Sequence, residues 1–206
     1  LRITGQDTGV YGWDEGERTL PELLDRICTG IDGDFRVRLG MANPGGVHGI
    51  REELADVFAR HDQLYNFIHL PVQSGSDAVL KDMRRQHRVG KFREVVETFD
   101  DRLDHWTLST DFIVGFPTET SEDHERSMEL FRDVRPEKAN VTRFSKRPGT
   151  DAADLKGLGG QVKKDRSKEM SELQREAAAE AYESMIGDTR EVLAVRQGTG
   201  DSMKCR

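Results

Sequence analysis

Two spacings of hydrophobic residues alternate along this chain, one helical and one extended. Leu23, Leu24, Ile27 and Ile31 stand 3, 4, 7 and 11 residues after Leu20, the spacing of one face of an amphipathic helix. Alternating apolar and polar positions predict strands at residues 1–5, 35–42, 66–72, 106–115 and 138–144. Further stripes predict helices at residues 50–58, 76–85, 92–99, from 120 or 121 onward, and 161–185. Strands that alternate with helices predict an α/β fold with a parallel sheet or barrel and the helices outside.

Gly187 marks a change of pattern near the carboxyl end of the chain. A long helix rich in Ala and Glu precedes it, and the β-like stretch DTREVLAVRQGTGDSMKCR follows it. We therefore predict an α/β domain at residues 1–187 and the beginning of a small β domain at residues 188–206. The first residue lies within a predicted strand and the last within a predicted hairpin, so we expect a fragment of a longer protein.

Composition narrows the class of protein. Hydrophobic residues make up 35% and charged residues 33% of the chain, and the net charge of −7 favours solubility without indicating a nucleic-acid partner. No run approaches the roughly 18 apolar residues of a membrane span, and no signal peptide opens the chain. We therefore expect a cytoplasmic protein without membrane contact. Cys28 and Cys205 do not make a disulfide framework, and Cys28 is expected to be buried on the first helix.

Each predicted strand is followed by a loop rich in glycine, proline and small polar residues. In chain order these loops are TGQDTGVYG, ANPGGVHG, PVQSGS, GFPTET and KRPGT. All five follow the carboxyl ends of parallel strands, the edge at which α/β sheets and barrels bind ligands. One such loop would be ordinary turn chemistry, whereas five in succession predict a ligand-binding rim.

Alternation within two strands directs polar side chains towards the interior. Alternate residues from Leu108 to Val114 share a face that suits a covering helix, whereas Asp111 and Ile113 share the opposite face. In the preceding strand, His69 and Gln73 share the inward parity. A buried carboxylate needs hydrogen-bond donors, and ligand hydroxyls would supply them. The alternative is a structural acid bonded to backbone amides.

Charge is distributed unevenly along the second half of the chain. Residues 94–135 contain 12 acidic and 4 basic side chains, and residues 138–170 contain 9 basic and 4 acidic side chains. One interpretation is an acidic helical face beside a solvated, lysine-rich helix. The other is a localised anion-binding edge in an otherwise acidic protein.

Four motifs together resemble one known family. TGQDTGVYGWD, HLPVQSGSDAVLKDMRR, STDFIVGFPTET and RFSKRPGTDAA stand in the order and spacing of the radical S-adenosylmethionine (SAM) methylthiotransferases that modify tRNA, over residues 1 to about 186. The opening motif is similar to the archaeal and eukaryotic branch that acts on threonylcarbamoyladenosine next to the anticodon. The resemblance implies a partial (β/α)6 TIM-like barrel that lacks its first strand, followed at residues 188–206 by the start of the family's TRAM domain.

The resemblance also implies the cofactors and their contacts. The family holds S-adenosylmethionine and 4Fe–4S clusters; an electron donor reduces the cluster, and a deoxyadenosyl radical then abstracts hydrogen before a methylthio group is installed. Gln73, Arg85 and Asp111 match by position the residues that hold the cofactor's polar parts. In this assignment the guanidinium faces the methionyl carboxylate and the Asp111 carboxylate faces the ribose hydroxyls.

Further contacts follow from the same resemblance. Gln6 stands where other members have a motif for the methionyl amine. Ile113, Gly115 and Phe116 would pack the adenine, and Ser74 belongs to the same predicted cofactor-binding set. No catalytic residue is assigned.

Arg143, Lys146 and Arg147 are candidates for contact with tRNA phosphates, because they lie at the rim within the basic stretch. The alternative is that they form ion pairs with neighbouring acidic helices. His69 and His124 are interpreted as packing residues. The sequence leaves the oligomeric state open.

The family's cluster-binding loop, Cys-x3-Cys-x2-Cys, is absent from this chain. Cys28 and Cys205 stand at unrelated positions. Either the loop lies upstream of Leu1, which the start within a strand favours, or the chain is a cluster-free relative. In the first case we expect the fragment to bind no cluster, to be inactive and to expose an unpaired strand edge.

Two other functions compete with a tRNA methylthiotransferase. One is another radical SAM branch, such as a ribosomal-protein methylthiotransferase or a coproporphyrinogen dehydrogenase, which TGQDTG disfavours. The other is a non-catalytic RNA-binding module built on the same barrel. A three-cysteine loop in the upstream sequence would support an enzyme.

Overall fold

The computed structural model describes residues 1–14, 16, 19–189, 194–197 and 203–205. Its strands are β1 (Arg2–Ile3), β2 (Arg38–Leu39), β3 (Phe67–His69), β4 (Thr107–Val114), β5 (Lys138–Arg143), β6 (Ala194–Gln197) and β7 (Met203–Cys205). Its α-helices are α1 (Leu20–Gly30), α2 (Pro44–Val47), α3 (Arg51–Arg60), α4 (Asp77–Asp82), α5 (Val89–Arg102), α6 (Ser121–Val134), α7 (Asp151–Asp154) and α8 (Gly160–Glu183). Single 3-10 turns lie at Thr8–Val10 and His48–Ile50.

Strands β1 to β5 lie side by side in chain order and are all parallel. β1 pairs with β2, and β4 lies between β3 and β5. The parallel bridges Val37–Leu64 and Met41–His69 connect the two groups. Within the described residues, β1 and β5 each pair with one neighbour, so the sheet is open and does not close into a barrel. The predicted α/β class with parallel strands and intervening helices is confirmed.

The first helix forms as its sequence pattern indicates, although it ends earlier. The Glu22 carboxylate accepts a hydrogen bond from the Thr19 backbone N–H at 3.0 Å, as in a capping box. Leu24 and Cys28 are buried on the inner face. Ile31, predicted within the stripe, lies beyond the helix end and is 46% exposed.

The segment predicted as a plain loop at residues 42–49 instead contains helix α2 and a 3-10 turn. Pro44 stands in the first turn of α2, where its fixed φ favours a helix start. Gly46 packs against the backbone of Gly9, and a Cβ atom there would lie 3.1 Å from the Gly9 carbonyl carbon. The helical segment thus packs closely against the Thr8–Val10 turn, a contact that local sequence patterns do not contain.

The predicted alternation along β4 is observed. Leu108, Thr110, Phe112 and Val114 are buried, and the Phe112 ring packs 5.8 Å from the Phe131 ring of α6. Asp111 and Ile113 lie on the opposite face and are partly exposed, whereas Ser109 on the same face is buried. The period-two pattern therefore identified which side of β4 the helices cover.

The carboxyl end of the described chain contains the antiparallel pair β6 and β7. The predicted TRAM domain at residues 188–206 falls mostly outside the described residues and remains a prediction. No helix in the described part of the chain is long and apolar enough to cross a membrane.

Candidate functional site

A cavity of about 460 Å³ opens at the carboxyl edge of the sheet. The ends of β4 and β5, the end of α4 and the segment around α7 border it. Its volume is within the range of pockets for small organic ligands, roughly 300–1,000 Å³. Of the predicted site residues, five line it: Arg85, Ile113, Phe116, Arg143 and Arg147.

The backbone of Gln73 is hydrogen-bonded to the strand that carries Asp111. Its N–H donates to the Asp111 carbonyl oxygen at 2.8 Å, and its own carbonyl oxygen accepts from the Ile113 N–H at 2.9 Å. Gln73 has a φ of 75°, a left-handed conformation that is uncommon for residues other than glycine and is enriched at functional sites. The residue is 8% exposed.

A bulge separates the His69–Ser109 pair from the Gln73–Phe112 bridge. Three residues intervene on the β3 side and two on the β4 side. The Thr110 hydroxyl spans the irregularity, donating to the Leu70 carbonyl oxygen at 2.8 Å and accepting from the Val72 N–H at 3.2 Å. Because of the extra residue, the alternation used for His69 does not extend to Gln73.

Ser74 directs its hydroxyl into the protein. It lies 3.4 Å from the Ser127 hydroxyl of α6 and accepts from the Ser76 N–H at 3.1 Å. A Cβ atom on Gly75 would lie 2.4 Å from the Arg126 carbonyl oxygen, so this glycine permits close packing on α6. The loop is thus anchored to α6, and Ser74 is not among the cavity-lining residues.

Asp111 has one carboxylate oxygen that neighbouring side chains bind and one that they leave free. Oδ1 lies 2.7 Å from the Asn140 amide nitrogen, which donates to it, and 3.2 Å from His69 Nε2. No hydrogen bond from the described residues reaches Oδ2. Burial raises the pKa of Asp111, but the bonds from His69 and Asn140 and the charge of Arg85 outweigh burial, and the pKa is lowered overall. Asp111 is therefore an ionised acceptor with capacity for a ligand.

Arg84 and Arg85 lie beyond the end of α4, whereas the sequence pattern predicted them within a helix. Arg84 has a φ of 57°, and the Arg85 N–H donates to the Leu80 carbonyl oxygen at 2.9 Å. This is a Schellman end, in which Arg84 occupies the position that usually carries glycine. The Arg84 guanidinium pairs with Asp151 across the cavity mouth.

The Arg85 guanidinium interacts electrostatically with Asp111 across the site. Desolvation lowers the pKa of Arg85, and the charge of Asp111 opposes that effect. The residue as a whole stays exposed to solvent, so its cation remains available to an anionic ligand. Arg85, Asp111 and the backbone of Gln73 are thus brought to one region of the sheet edge.

Aromatic side chains form one wall of the cavity. Phe116 and Phe144 both line it, with ring centroids 5.1 Å apart in an edge-to-face arrangement. Gly115 lies behind this wall with a φ of 74°, and its N–H donates to the buried Glu119 carboxylate. Gly115 itself does not line the cavity.

The three basic rim residues differ in their surroundings. Arg143 and Arg147 line the cavity, whereas Lys146 donates from Nζ to the Ala153 carbonyl oxygen at 2.7 Å. Among the described residues, no acidic side chain lies within ion-pair distance of any of the three, so the alternative of ion pairs with acidic helices is not observed. Gln6 is exposed on the loop after β1 and is not a cavity-lining residue.

Several site residues were missed from the sequence. His69, interpreted as a packing residue, instead contacts Asp111. His124 is buried on α6, as expected of a packing residue, and its Nε2 lies 3.1 Å from the Glu169 carboxylate. Asn140 lies opposite Asp111 in the β4–β5 register. Neighbouring strands place such pairs side by side, but the sequence does not specify the register between strands.

Asp7 is a further missed residue, and it connects two rim loops. Its Oδ1 accepts from the backbone N–H groups of Gly9 and Asn43, at 3.0 and 2.9 Å, and its Oδ2 accepts from the Asn43 side-chain amide at 2.7 Å. The signal was local, since aspartate before a turn commonly caps it. The contact with Asn43 needed the folded chain.

Two solved structures share this fold. Coproporphyrinogen III oxidase (HemN) from Escherichia coli, titled a radical SAM enzyme, superposes with a TM-score of 0.55 and 16% identity, covering 69% of this chain and 32% of that one. The radical S-adenosylmethionine methyltransferase TsrM from Kitasatospora setae gives a TM-score of 0.57 and 15% identity, covering 74% and 29%. At these identities the likeness shows the fold alone.

Sequence relatives give closer matches. A protein named as a probable threonylcarbamoyladenosine tRNA methylthiotransferase in Archaeoglobus fulgidus is 43% identical over 198 residues, which cover 96% of this chain and 46% of that protein. The threonylcarbamoyladenosine tRNA methylthiotransferase of Homo sapiens is 36% identical, covering 95% and 33%. The chain thus spans less than half the length of these relatives. The pattern of the radical SAM superfamily matches residues 2–131, and the chain belongs to that superfamily.

Proposed function

We propose that this chain is the S-adenosylmethionine-binding part of a tRNA methylthiotransferase that acts on threonylcarbamoyladenosine. The observation that carries the proposal is the Asp111 carboxylate, whose Oδ2 has no partner among the described residues, together with the Arg85 guanidinium, which interacts with it electrostatically and, unlike Asp111, lines the aromatic-walled cavity. The names of the relatives in archaea and eukaryotes supply the reaction class and the substrate.

The residues of this site fit S-adenosylmethionine. Arg85 would bind the methionyl carboxylate, because a guanidinium makes charge-assisted bonds to carboxylates. Asp111 would accept from the ribose hydroxyls through Oδ2, while His69 and Asn140 hold the carboxylate in place through Oδ1. Ile113 and the aromatic wall would pack the adenine ring. The bound cofactor supplies the radical chemistry by which superfamily members activate C–H bonds.

Gln6, Ser74 and Gly115 do not line the cavity. The Ser74 hydroxyl and the Gly115 N–H bond within the protein, so we assign both residues a structural role in shaping the site. Gln6 is exposed, and we propose it as a contact for the methionyl amine only by its place in the loop after β1.

The residues of this chain do not fit a 4Fe–4S cluster. A cluster needs several thiolates close together, whereas the chain has two cysteines, and Cys28 is buried on α1. Within the described residues, no three His, Cys, Asp or Glu side chains are grouped to hold a metal ion. We propose that ligands outside this chain's residues hold the cluster, and that an electron donor serves it.

Arg143 and Arg147 are proposed to contact tRNA phosphates at the cavity mouth. Both lack an acidic partner within the described part of the chain, and both border the cavity. Lys146 would contribute charge, although its Nζ is directed to Ala153. We also propose that residues 188–206 begin a TRAM domain, which the antiparallel pair β6–β7 supports, and that the protein works in the cytoplasm.

The test compares tRNA nucleosides by mass spectrometry in cells with and without the gene. We expect the methylthio form of threonylcarbamoyladenosine to disappear and the form without sulfur to accumulate. Complementation with the natural gene should restore the modification, and complementation with the Asp111→Asn variant should not. An unchanged nucleoside profile after deletion would reject the proposed reaction, leaving another radical SAM branch or an RNA-binding module as the remaining interpretations.

A further inference from the structure

Helix α8 contacts both segments that carry the aromatic wall of the cavity. Lys163 donates from Nζ to the Phe144 carbonyl oxygen at 3.3 Å. One turn later, Arg166 donates from Nη1 to the Glu119 carboxylate at 2.8 Å and to the Glu119 carbonyl oxygen at 3.2 Å. Thus α8 reaches the segment after β5 through one side chain and the loop after β4 through the other.

The Glu119–Arg166 pair is buried, with exposed fractions of 3% and 8%. A carboxylate at that depth needs a compensating cation and hydrogen-bond donors. Arg166 supplies the cation, and the Gly115 N–H is the second donor to the same carboxylate. The conformation of the loop at Gly115 is therefore connected to α8 through Glu119, which lies 47 residues from Arg166 in sequence.

Lys163 also fills the space behind Gly115. A Cβ atom built on Gly115 would lie 2.3 Å from Lys163 Cγ and 2.9 Å from its Cδ. The aliphatic part of Lys163 therefore occupies the volume that a side chain at position 115 would need. This contact, together with the φ of 74° at Gly115, explains why a glycine stands at that position.

Both contacts act on residues next to the aromatic rings. Phe116 follows the glycine held through Glu119, and the Phe144 carbonyl oxygen is the acceptor for Lys163. The two rings meet edge to face, with an interplanar angle of 72°, and both border the cavity. The Phe144 N–H also donates to the Val114 carbonyl oxygen at 2.9 Å. The segments that follow β4 and β5 are therefore bonded to each other where they leave the sheet, and α8 contacts both beyond that point.

We propose that Lys163 and Arg166 are positioning residues that hold Phe116 and Phe144 in the geometry needed to bind the nucleoside part of S-adenosylmethionine. The inference rests on the proposed function, because it assigns the aromatic wall to the adenine. It adds to that function by placing the control of this subsite on α8, outside the loops that bind the ligand. If the two residues only stabilised the fold, replacing them would lower the melting temperature without affecting one ligand more than another.

The test uses Lys163→Met, which keeps most of the aliphatic stem and removes the donor, with Lys164→Met as its matched control. Lys164 is the exposed neighbour on the same helix. Amide hydrogen exchange should become faster at Gly115 and Phe144 in Lys163→Met and stay unchanged in the control. Calorimetry with S-adenosylhomocysteine and with adenosine should show binding roughly two- to tenfold weaker, the effect of one ordinary hydrogen bond. Methionine should bind as before.

Arg166→Lys tests the second contact, because it keeps the charge and loses the planar guanidinium. If thermal melting shows that this variant does not fold, the double variant Glu119→Gln with Arg166→Met removes both buried charges together. In either variant, we expect faster amide hydrogen exchange at Gly115 and the same selective loss of nucleoside affinity.

Each outcome decides the question. Wild-type exchange at Gly115 and Phe144 in all folded variants would overturn the positioning role. Equal losses of affinity for adenosine and methionine would also overturn it, because they would indicate general destabilisation. If the natural protein binds neither S-adenosylhomocysteine nor adenosine, the proposed function fails, and with it the assignment of the subsite, while hydrogen exchange still decides whether α8 holds the two segments.

Discussion

Replacing Asp111 with asparagine separates the charge of the carboxylate from its shape. The amide oxygen of the new side chain can still take the place of Oδ1, so the contacts to His69 and Asn140 are retained. The amide nitrogen then stands in the position of Oδ2. It presents N–H donors where ribose hydroxyls need an acceptor, and the negative charge opposite Arg85 is removed.

The size of the effect follows from these contacts. A hydrogen bond to a charged group contributes about 1.5–3 kcal/mol, and about 1.4 kcal/mol corresponds to a tenfold change in affinity. Removing one such bond to the ligand should weaken binding of S-adenosylhomocysteine roughly 10- to 150-fold. Folding stability should change by about 1 kcal/mol or less, because the bonds within the protein remain.

Isothermal titration calorimetry with S-adenosylhomocysteine measures the affinity, and urea unfolding measures the stability. The matched control is Asp104→Asn, an exposed carboxylate before β4 at the opposite edge of the sheet. We expect the control to bind as the natural protein does. Equal affinity of Asp111→Asn and the control would remove Asp111 from the site, and with it the main support for the proposed cofactor.

Three other predictions concern packing, pH and salt. Gly75→Ala should destabilise the protein by about 1–3 kcal/mol in urea unfolding, because its Cβ would meet the α6 backbone at 2.4 Å, whereas Gly49→Ala, with no atom within 4 Å, should not; equal stability of the two variants would contradict this packing. Burial, together with the charge of a nearby aspartate, raises the pKa of Glu137 above its ordinary value, so the folded state binds this proton more tightly than the unfolded state does. The stability of the protein therefore falls as the pH rises from the ordinary pKa of glutamate through the raised pKa of Glu137. Glu137→Gln should therefore be more stabilising at pH 7 than at pH 4, and a gain independent of pH would refute this reasoning. Replacing Arg143 and Arg147 together with neutral residues should reduce the slope of log affinity for tRNA against log salt by about 0.7 to 0.9 for each phosphate that is no longer neutralised, and an unchanged slope would exclude both residues from the RNA interface.

Local patterns predicted the elements that depend on neighbouring residues. The period of two along β4 identified the helix-covered face, because alternation along an extended chain is independent of what packs against it. The apolar stripe through Leu24 predicted α1 for the same reason. Where the chain compacts against a distant segment, as α2 does around Gly46, the pattern predicted only a loop.

Helix α4 ends earlier than its sequence pattern predicted, and the difference changes the position of a site residue. An apolar stripe up to Met83 suggested that the helix continued through Arg85, but the chain turns at Arg84 with a positive φ. Such turns usually carry glycine, so an arginine there gives no warning in the sequence. The turn directs Arg84 towards Asp151 and leaves Arg85 at the cavity.

By itself, the sequence determined the alternation of the five parallel strands with the longer helices, the helix-covered face of β4, and the set of polar loops at one edge of the sheet. The tertiary structure alone decided that Asn140 lies opposite Asp111, that His69 shares its Oδ1, and that α8 returns to hold Glu119. Periodicity is a property of consecutive residues. The register between strands and the position at which a later helix packs against earlier loops depend on contacts between segments tens of residues apart. For that reason the sequence could nominate Asp111, and only the fold could show which of its oxygens is left for a ligand.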